Sequence, residues 1–456
     1  MTVKRRLLGS FGASSLGPIA SIFIQLVNVP VMVRYWGAHL LGEWLLITTI
    51  PAYLLLTDLG FGNVSSSDMT MRLHAGDQQG AIETFQSTAI AVLLISLSFG
   101  ALFCAVIFFL PFYRYLHIAV MTPFEARTTA LFLCVNSLLA IQWTYLTAAF
   151  KCVGKFAFSQ LSMNVIRILE GVSVFLVLIF RAGPLGLSMV MTGISLVGTI
   201  WLIYMERRMI PWLPLGIKYA SRERVRELFK PAIAYLAFPT GSAISLQGMT
   251  TLVGALLGPL AVAVFNPMRT LARASLQLSE AVKVSVLPEL SAAIGKQNWD
   301  LARKIHRSAF QAAIFLSLLC VGALGVFGQQ IFAMWTRHRI AMDVPAFYLL
   351  LGVVLLNSAW STSSAAPLAA NRHLRMASYY LVLTIFSLVI GYPLIRRFGL
   401  QGAVVALLLC EACMDVIVVR MSNVLLSDRW SSFMAAMFDF SHLNIPWLRL
   451  VRKQAS

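Results

Sequence analysis

The chain has 456 residues, of which 59% are hydrophobic and only 12% are charged, and its formal net charge is +18. Soluble globular domains carry roughly twice that share of charged residues, so the composition excludes a soluble protein and predicts an all-α polytopic membrane protein. The positive charge falls in loops between apolar runs, and we find no nucleic-acid-binding module, so we expect no nucleic-acid partner.

Twelve apolar runs of spanning length predict twelve transmembrane helices. The runs cover residues 11–33, 44–62, 85–111, 128–150, 157–180, 182–205, 231–257, 260–287, 308–335, 346–370, 376–395 and 398–419. Between the seventh and eighth runs only Gly258 and Pro259 mark a turn, so that boundary depends on two residues.

Lysine and arginine predict the orientation of these helices. With the N-terminus inside, 24 of them fall in inner loops and tails and eight in outer loops. This bias predicts a multi-pass membrane protein with both termini in the cytoplasm. The basic inner loops then face anionic headgroups, so we expect membrane lipids among the partners.

The longest inner loop, residues 206–230, lies at the middle of the chain and is strongly basic. We interpret it as a cytoplasmic connector between a six-helix N-terminal lobe, residues 1–205, and a six-helix C-terminal lobe, residues 231–419. The remaining segment, 420–456, is expected to be a cytoplasmic tail with an interfacial helix.

The two halves also repeat each other. Gly37 corresponds to Gly258 at an offset of 221 residues, and Gly183 to Gly399 at an offset of 216. Six helices followed by six of the same orientation predict two parallel repeats around a central cavity, with the binding site between them.

The predicted helix 260–287 carries a polar stripe. Its members recur at steps of three and four residues: Asn266, Arg269, Arg273, Gln277 and Glu280. Such a stripe is about 25 Å long, close to the thickness of the hydrocarbon core. A polar face of this length in a membrane must face the protein interior or water.

Five segments resemble the polysaccharide-exporter branch of the MOP/MATE-like superfamily, to which O-antigen and capsule repeat-unit flippases belong. They are RYWGAHLLGEWLL (34–46), LLTDLGFGNVSSS (55–67), KCVGKFAFSQ (151–160), VLPELSAAIGKQN (286–298) and FGLQGAVVA (398–406). The resemblance implies translocation of an undecaprenyl-pyrophosphate-linked oligosaccharide from the inner to the outer leaflet of the bacterial inner membrane. It also implies that spans one, two, seven and eight face the central cavity.

Arg269 and Arg273 are the first candidates for substrate binding, together with Asn266 and Gln277 on the same stripe. They are like charges one turn apart, near the midplane, with no acid within a turn of either. One hypothesis pairs them permanently with acids of other helices. The other assigns them to the pyrophosphate, because guanidinium groups bind phosphate oxygens bidentately and stay charged.

Other charges within the predicted spans serve structure or coupling. Arg167 with Glu170, and Glu280 with Lys283, are spaced to pair locally. Asp58 reads either as the carboxylate of a helix-ending turn or as a coupling group.

Glu411 and Asp415, one turn apart, form either a proton or cation site or ion pairs with Arg420 or the arginines of the eighth span. We expect no catalytic residue, no metal site and no cofactor beyond a coupling cation, either a proton or sodium.

Three functions follow in order of preference. The first is a flippase for lipid-linked oligosaccharides that works by alternating access, with a polymerase and glycosyltransferases of the same pathway as expected partners. The second is a MATE-type cation-coupled drug exporter, which the two arginines disfavour. The third is a membrane glycan polymerase or ligase, which the short outer loops disfavour.

Overall fold

The computed structural model describes residues 3–58, 60–370 and 372–438, and all regular elements in these ranges are helical. In order along the chain, the first helices are α1 (Val3–Leu54), α2 (Phe61–His74), α3 (Gln78–Phe109), α4 (Phe112–Tyr115), α5 (Pro123–Cys152), α6 (Phe156–Ile179), α7 (Pro184–Met209) and α8 (Arg222–Ala243). The later helices are α9 (Met249–Leu257), α10 (Pro259–Ala274), α11 (Leu276–Gly295), α12 (Trp299–Trp335), α13 (Val344–Ser363), α14 (Ala365–Ala369), α15 (Leu374–Leu425) and α16 (Trp430–Phe438).

The sequence marks several helix starts with capping residues. Thr122 opens α5 with a capping box, in which its hydroxyl accepts from the Glu125 backbone N–H while the Glu125 carboxylate accepts from the Thr122 N–H. Asp343 caps α13 through a 3.0 Å hydrogen bond from the Ala346 N–H. Both caps supply acceptors for N–H groups that the first turn of a helix leaves without partners.

Among the residues that the structure describes, eight helical segments are long and apolar enough to cross a membrane, so the protein is a multi-pass membrane protein. They are Val27–Asp58, Gln78–Phe109, Pro123–Cys152, Phe156–Ile179, Pro184–Met209, Trp299–Trp335, Val344–Ala369 and Leu374–Leu425.

Several predicted boundaries differ from the observed helices. The runs 376–395 and 398–419 both lie in α15, which is interrupted by non-helical torsions at Gly399. The run 231–257 is divided by a π-helical segment, Ile244–Gly248, between α8 and α9. The run 260–287 is not one helix, because α10 ends at Ala274 and α11 begins at Leu276.

The chain divides into two compact units. The first comprises residues 1–264 and 333–341, and the second comprises residues 265–332 and 342–456. The predicted lobes have different limits and stay a prediction.

In the first unit, α5 packs against α2, α3, α6 and α7. A 2.8 Å hydrogen bond from the Trp143 indole N–H to the Thr199 hydroxyl joins α5 to α7. Gln86 of α3 fixes the segment that follows α7: its amide donates to the Pro214 carbonyl and accepts from the Tyr219 N–H.

In the second unit, α13 packs along α15, and aromatic and apolar side chains such as Trp360, Tyr380 and Met414 form a core between them. Three buried serines form a ring of hydroxyls from three helices: Ser279 of α11, Ser317 of α12 and Ser358 of α13. Their oxygens are 2.5–2.9 Å apart.

The helix α16 lies in the predicted tail and packs against other helices of the second unit. Phe433 is 1% exposed and contacts the rings of Phe310 and His306. Just before α16, the Asp428 carboxylate accepts a 2.8 Å hydrogen bond from the Arg307 Nε. The rest of the tail, 439–456, lies outside the described residues.

Candidate functional site

Arg269 and Arg273 lie one turn apart on α10, as their spacing predicts. The Arg269 Nη2 donates to the Asn266 Oδ1 at 2.9 Å, and its guanidinium carbon lies 4.9 Å from the centre of the Phe265 ring. These contacts orient Arg269 on the helix, because the amide and the ring hold the planar guanidinium in one direction. Asn266, a predicted substrate-binding residue, therefore accepts a hydrogen bond that positions Arg269.

Arg273 is exposed, and within the described ranges it makes neither a hydrogen bond nor a salt bridge. Its charge interacts electrostatically with Arg269 and with the carboxylate of Glu411. An exposed guanidinium that keeps all five N–H groups available for an anion is suited to phosphate oxygens.

The polar stripe is divided between two helices, α10 and α11, which are separated by Ser275. At Ser275 the backbone N–H bonds to the Ala272 carbonyl and the Ser275 carbonyl accepts from the Leu278 N–H, which are tight i to i+3 contacts. The Ser275 hydroxyl also donates a hydrogen bond to the Ala272 carbonyl at 2.7 Å. The predicted single helix 260–287 is therefore divided into α10 and α11 at this one residue, although the Ser275 backbone stays in the α-helical region with φ −67° and ψ −24°.

After Ser275, the remaining residues of the stripe lie on α11. Gln277 is exposed. The Lys283 Nζ lies 2.5 Å from the Glu280 Oε1 and donates to the Ser361 hydroxyl at 3.2 Å, while that hydroxyl donates to the Glu280 Oε2 at 3.3 Å. The structure thus brings Glu280 and Lys283 together with α13, and places them in a separate network from the arginines.

Glu411 is 5% exposed on α15 and is bound by neutral donors rather than by an arginine. Its Oε2 accepts from the Trp360 indole N–H at 2.5 Å and from the Asn357 amide at 2.9 Å. One turn on, the Asp415 Oδ1 is buried and has no hydrogen-bond partner in the part of the chain that the structure describes. The ion pair expected with Arg420 does not form in the described ranges. Glu411 is thus a buried carboxylate that accepts from N–H groups, whereas Asp415 is partly exposed and has one buried oxygen without such a donor.

In the first unit, Asp58 is held by neutral hydrogen-bond donors. Asp58 accepts from the Thr144 hydroxyl at 2.8 Å and from the Gly62 N–H at 3.4 Å, which fits the helix-turn reading. It lines a small polar cavity of about 140 Å³ with Ser66, Lys151 and Gln160.

Arg167 and Glu170 interact electrostatically but form no salt bridge within the described ranges. Arg167 is exposed and makes no salt bridge within 4.0 Å in the described ranges, whereas the Glu170 Oε1 accepts from the Ser195 hydroxyl of α7 at 2.6 Å. A neighbouring helix therefore supplies the polar partner that the local spacing assigns to arginine.

Two buried acids escaped the sequence reasoning. Glu43, 0% exposed, accepts from the backbone N–H groups of Ala119 and Val120 at 2.7 Å and of Met121 at 2.9 Å. Glu206 is also 0% exposed, and neither of its carboxylate oxygens has a partner among the described residues. The charge of Glu43 inside an apolar stretch was the only available signal, since its partners are backbone groups. The sequence around Glu206 does not indicate burial, because Glu206 is the first residue of the predicted basic connector 206–230.

No group of three or more metal-ligating side chains forms within the described ranges. The six cysteines are free, and Cys410 is buried while Cys413 is exposed.

Comparison with known proteins finds no matching family model and no matching curated protein. Solved structures do match. The inward-facing conformation of a multidrug resistance MATE family transporter of the MOP superfamily aligns with a TM-score of 0.73 at 16% identity, over 88% of this chain and 94% of that one. The chain has the MATE transporter fold.

Two further structures support this fold. The outward-facing conformation of a multidrug resistance MATE family transporter aligns with a TM-score of 0.63 at 16% identity, covering 93% of this chain and 96% of that one. The MATE multidrug transporter DinF-BH in complex with R6G aligns with a TM-score of 0.65 at 14% identity, covering 94% and 97%. These proteins are transporters and not enzymes. At this identity the likeness concerns the fold alone, which different cargoes share.

Proposed function

We propose that this protein is a membrane transporter that moves an undecaprenyl-pyrophosphate-linked oligosaccharide across the bacterial inner membrane by alternating access. The MATE fold supports transport, and the arginine pair on α10 supports an anionic cargo. The observation that carries the proposal is Arg273, an exposed guanidinium without a hydrogen bond or salt bridge within the described ranges, one turn from Arg269. We therefore assign the protein to surface polysaccharide biosynthesis and not to enzymatic catalysis.

The electrostatic argument favours a diphosphate over a cation. The two guanidinium groups are like charges one turn apart on α10, and each can bind phosphate oxygens bidentately. A unit charge 8 Å away interacts with each by roughly 2 kcal/mol at an effective dielectric of 20, which attracts a diphosphate and repels a cationic drug. We assign Asn266 to hold Arg269 in place and Gln277 to polar contact with the cargo.

The proposal includes twelve spans in two parallel repeats, with both termini in the cytoplasm. Matching backbone torsions support the repeats: Gly37 has φ 77° and ψ 174°, and Gly258 has φ 83° and ψ 175°. The expected partners are membrane lipids and the polymerase and glycosyltransferases of the same pathway.

A coupling cation, proton or sodium, is part of the proposal. Glu411 and Asp415 support it, because a carboxylate with one buried oxygen, one turn from the buried Glu411 carboxylate, is costly while both are charged. Binding a proton or a cation there would relieve that cost.

The drug exporter remains a second candidate function, because the solved structures with this fold are multidrug transporters. The acids Glu411 and Asp415 would suit a cationic cargo. Altered drug susceptibility of a deletion strain with normal surface polysaccharide would favour this function over the flippase.

The test compares three double variants in a deletion strain. In Arg269→Ala/Arg273→Ala we expect export to fall about a hundredfold, since two charge-assisted hydrogen bonds at roughly 1.5 kcal/mol each are lost. Lipid-linked units should accumulate on the inner face, measured by their accessibility to an added glycosidase. Arg269→Lys/Arg273→Lys should retain partial export, because charge remains without the bidentate geometry.

The matched control is Arg396→Ala/Arg397→Ala, which removes the same charge from two exposed positions of α15. It should export normally at the same membrane level. Full export by the α10 alanine variant would refute the proposed binding role.

A further inference from the structure

A large apolar groove lies on the surface of the first unit, between α6 and α7. It has a volume of about 770 Å³ and is lined by side chains of both helices. Its walls are exposed: Val165 of α6 is 53% exposed and Val197 of α7 is 67% exposed. In a membrane protein such a surface faces hydrocarbon, so its shape decides how a lipid chain lies against it.

Two glycines of α7 shape the groove. A Cβ at Gly198 would lie 2.6 Å from the Ile166 side chain, so the helices approach closely there. A Cβ at Gly193 would have no atom within 4 Å, so that position leaves open space in the groove. The lining runs from Phe158 to Leu169 on α6, which is about 16 Å by helical rise. That is roughly half of the hydrocarbon core, or one leaflet.

One end of the groove passes from apolar to aromatic residues. Trp201 lines that end and is 45% exposed, and Tyr204, 53% exposed, lies one turn further along α7. Their ring centres are 6.4 Å apart. Paired amphipathic rings of this kind are typical of the membrane–water interface, so this end of the groove is at the headgroup level.

Two basic residues follow the aromatic pair. Arg208 is exposed and lies seven residues after Trp201, on the same face of α7. Lys155 precedes Phe158 by three residues at the start of α6, and its ammonium donates to the Met209 carbonyl at 3.1 Å. That hydrogen bond brings Lys155 to the end of α7 beside Arg208. It uses one of the three ammonium donors, so two remain for another acceptor.

We propose that this groove is a binding site for an anionic phospholipid, with an acyl chain along α6 and α7 and the phosphate at Lys155 and Arg208. The two helices present hydrocarbon, aromatic and cationic surface in the order in which a phospholipid presents its chain, interface and headgroup. The charge of the two residues selects an anionic headgroup over a zwitterionic one. This inference requires only that the protein lies in a membrane and does not rest on the proposed cargo.

The experiment uses the fluorescence of Trp201. The full-length protein is reconstituted in phosphatidylcholine vesicles with a minor fraction of phosphatidylglycerol brominated on its acyl chains, or with brominated phosphatidylcholine instead. The contribution of Trp201 is the difference between wild type and Trp201→Phe. We expect brominated phosphatidylglycerol to quench it at a lower mole fraction, by about fivefold for each basic residue, or less where the two charges share one phosphate.

Matched variants separate the headgroup from the chain. Lys155→Gln/Arg208→Gln should abolish the preference for phosphatidylglycerol, whereas Arg222→Gln/Arg226→Gln, which removes two exposed charges of α8, should keep it. Because Lys155 also has a structural hydrogen bond, Arg208→Gln alone is included and should reduce the preference. Gly193→Leu fills the groove and should weaken quenching by both lipids. Gly322→Leu, at an exposed glycine of α12 that also has no atom near its Cβ position, should not.

Equal quenching of Trp201 by the two brominated lipids would overturn the proposal. So would a preference for phosphatidylglycerol that survives Lys155→Gln/Arg208→Gln, or quenching that Gly193→Leu leaves unchanged. None of these outcomes bears on oligosaccharide export, which is measured separately on the α10 variants.

Discussion

Glu43 shows how one buried carboxylate can organise a loop. The segment 119–121 leads into α5, and its three consecutive N–H groups all point at the Glu43 carboxylate of α1. Successive N–H groups form an anion-binding concavity, and here the anion is part of the same chain. His39, one turn earlier, has its Nδ1 3.5 Å from the same carboxylate. The entry to α5 is therefore fixed to α1 without any side-chain partner from the loop.

We expect Glu43→Ala to destabilise the first unit by roughly 3–6 kcal/mol, because three N–H groups, of which that of Met121 is buried, lose a charged acceptor. Glu43→Gln should cost less, since one oxygen remains. Thermal unfolding in detergent and hydrogen exchange of residues 119–121 measure both effects.

The control is Glu125→Ala, which removes an exposed capping-box carboxylate and should cost only about 1 kcal/mol. If Glu43→Ala leaves the exchange of 119–121 unchanged, the carboxylate does not hold the loop.

At the scale of elements, the turn between α2 and α3 depends on a charged cap. Asp77 accepts from the Gly80 N–H at 2.8 Å and from the Arg72 Nη1 at 2.9 Å. The Gly80 hydrogen bond, and after it the Arg72 guanidinium, lower the pKa of Asp77 below its usual value. Because the folded pKa is lower than the unfolded one, this cap contributes fully above the unfolded pKa. Its contribution disappears as the pH falls through the folded pKa.

Hydrogen exchange at the start of α3 should therefore become faster in acid, after correction for intrinsic rates. Asp77→Asn keeps a capping oxygen but has no charge to lose, so its corrected exchange should be nearly independent of pH in this range. Identical pH profiles for the two proteins would contradict the role of the carboxylate.

The elements also show what sequence patterns can and cannot predict. Apolar length predicts α3, α5, α6 and α7 because each is a separate run between polar turns. Apolar length does not predict the division at Ser275, since neither glycine nor proline stands there and the Ser275 torsions remain α-helical. The adjacency of Arg269 and Arg273 follows from spacing on one helix. The partners of Glu411 do not, because Asn357 and Trp360 come from another helix.

At the scale of the whole molecule, the proposed repeats rest on backbone conformation as well as on sequence offsets. Gly37 and Gly258 share torsions that side-chain-bearing residues avoid, and a Cβ at either would have no atom within 4 Å. The need for glycine there is conformational and not steric. Other predicted pairs agree less closely, since Gly183 has φ −83° and Gly399 has φ 59°.

Gly37→Ala and Gly258→Ala should therefore each cost a similar amount, roughly 1–3 kcal/mol, through backbone strain alone. Gly295→Ala serves as the control, because a Cβ there also has open space and Gly295 lacks a positive φ. It should be neutral or slightly stabilising in thermal unfolding. A large difference between the two glycine variants would argue against equivalent positions in the two halves.

The serine ring has a consequence for how the second unit can move. Hydroxyls do not ionise in the physiological range. The serine hydrogen bonds that join α11, α12 and α13 therefore persist whether or not a nearby acid has taken up a proton. Sliding one of these helices would strand buried oxygens without partners, which is costly. A motion of the second unit that keeps these hydrogen bonds then moves the three helices together as one body.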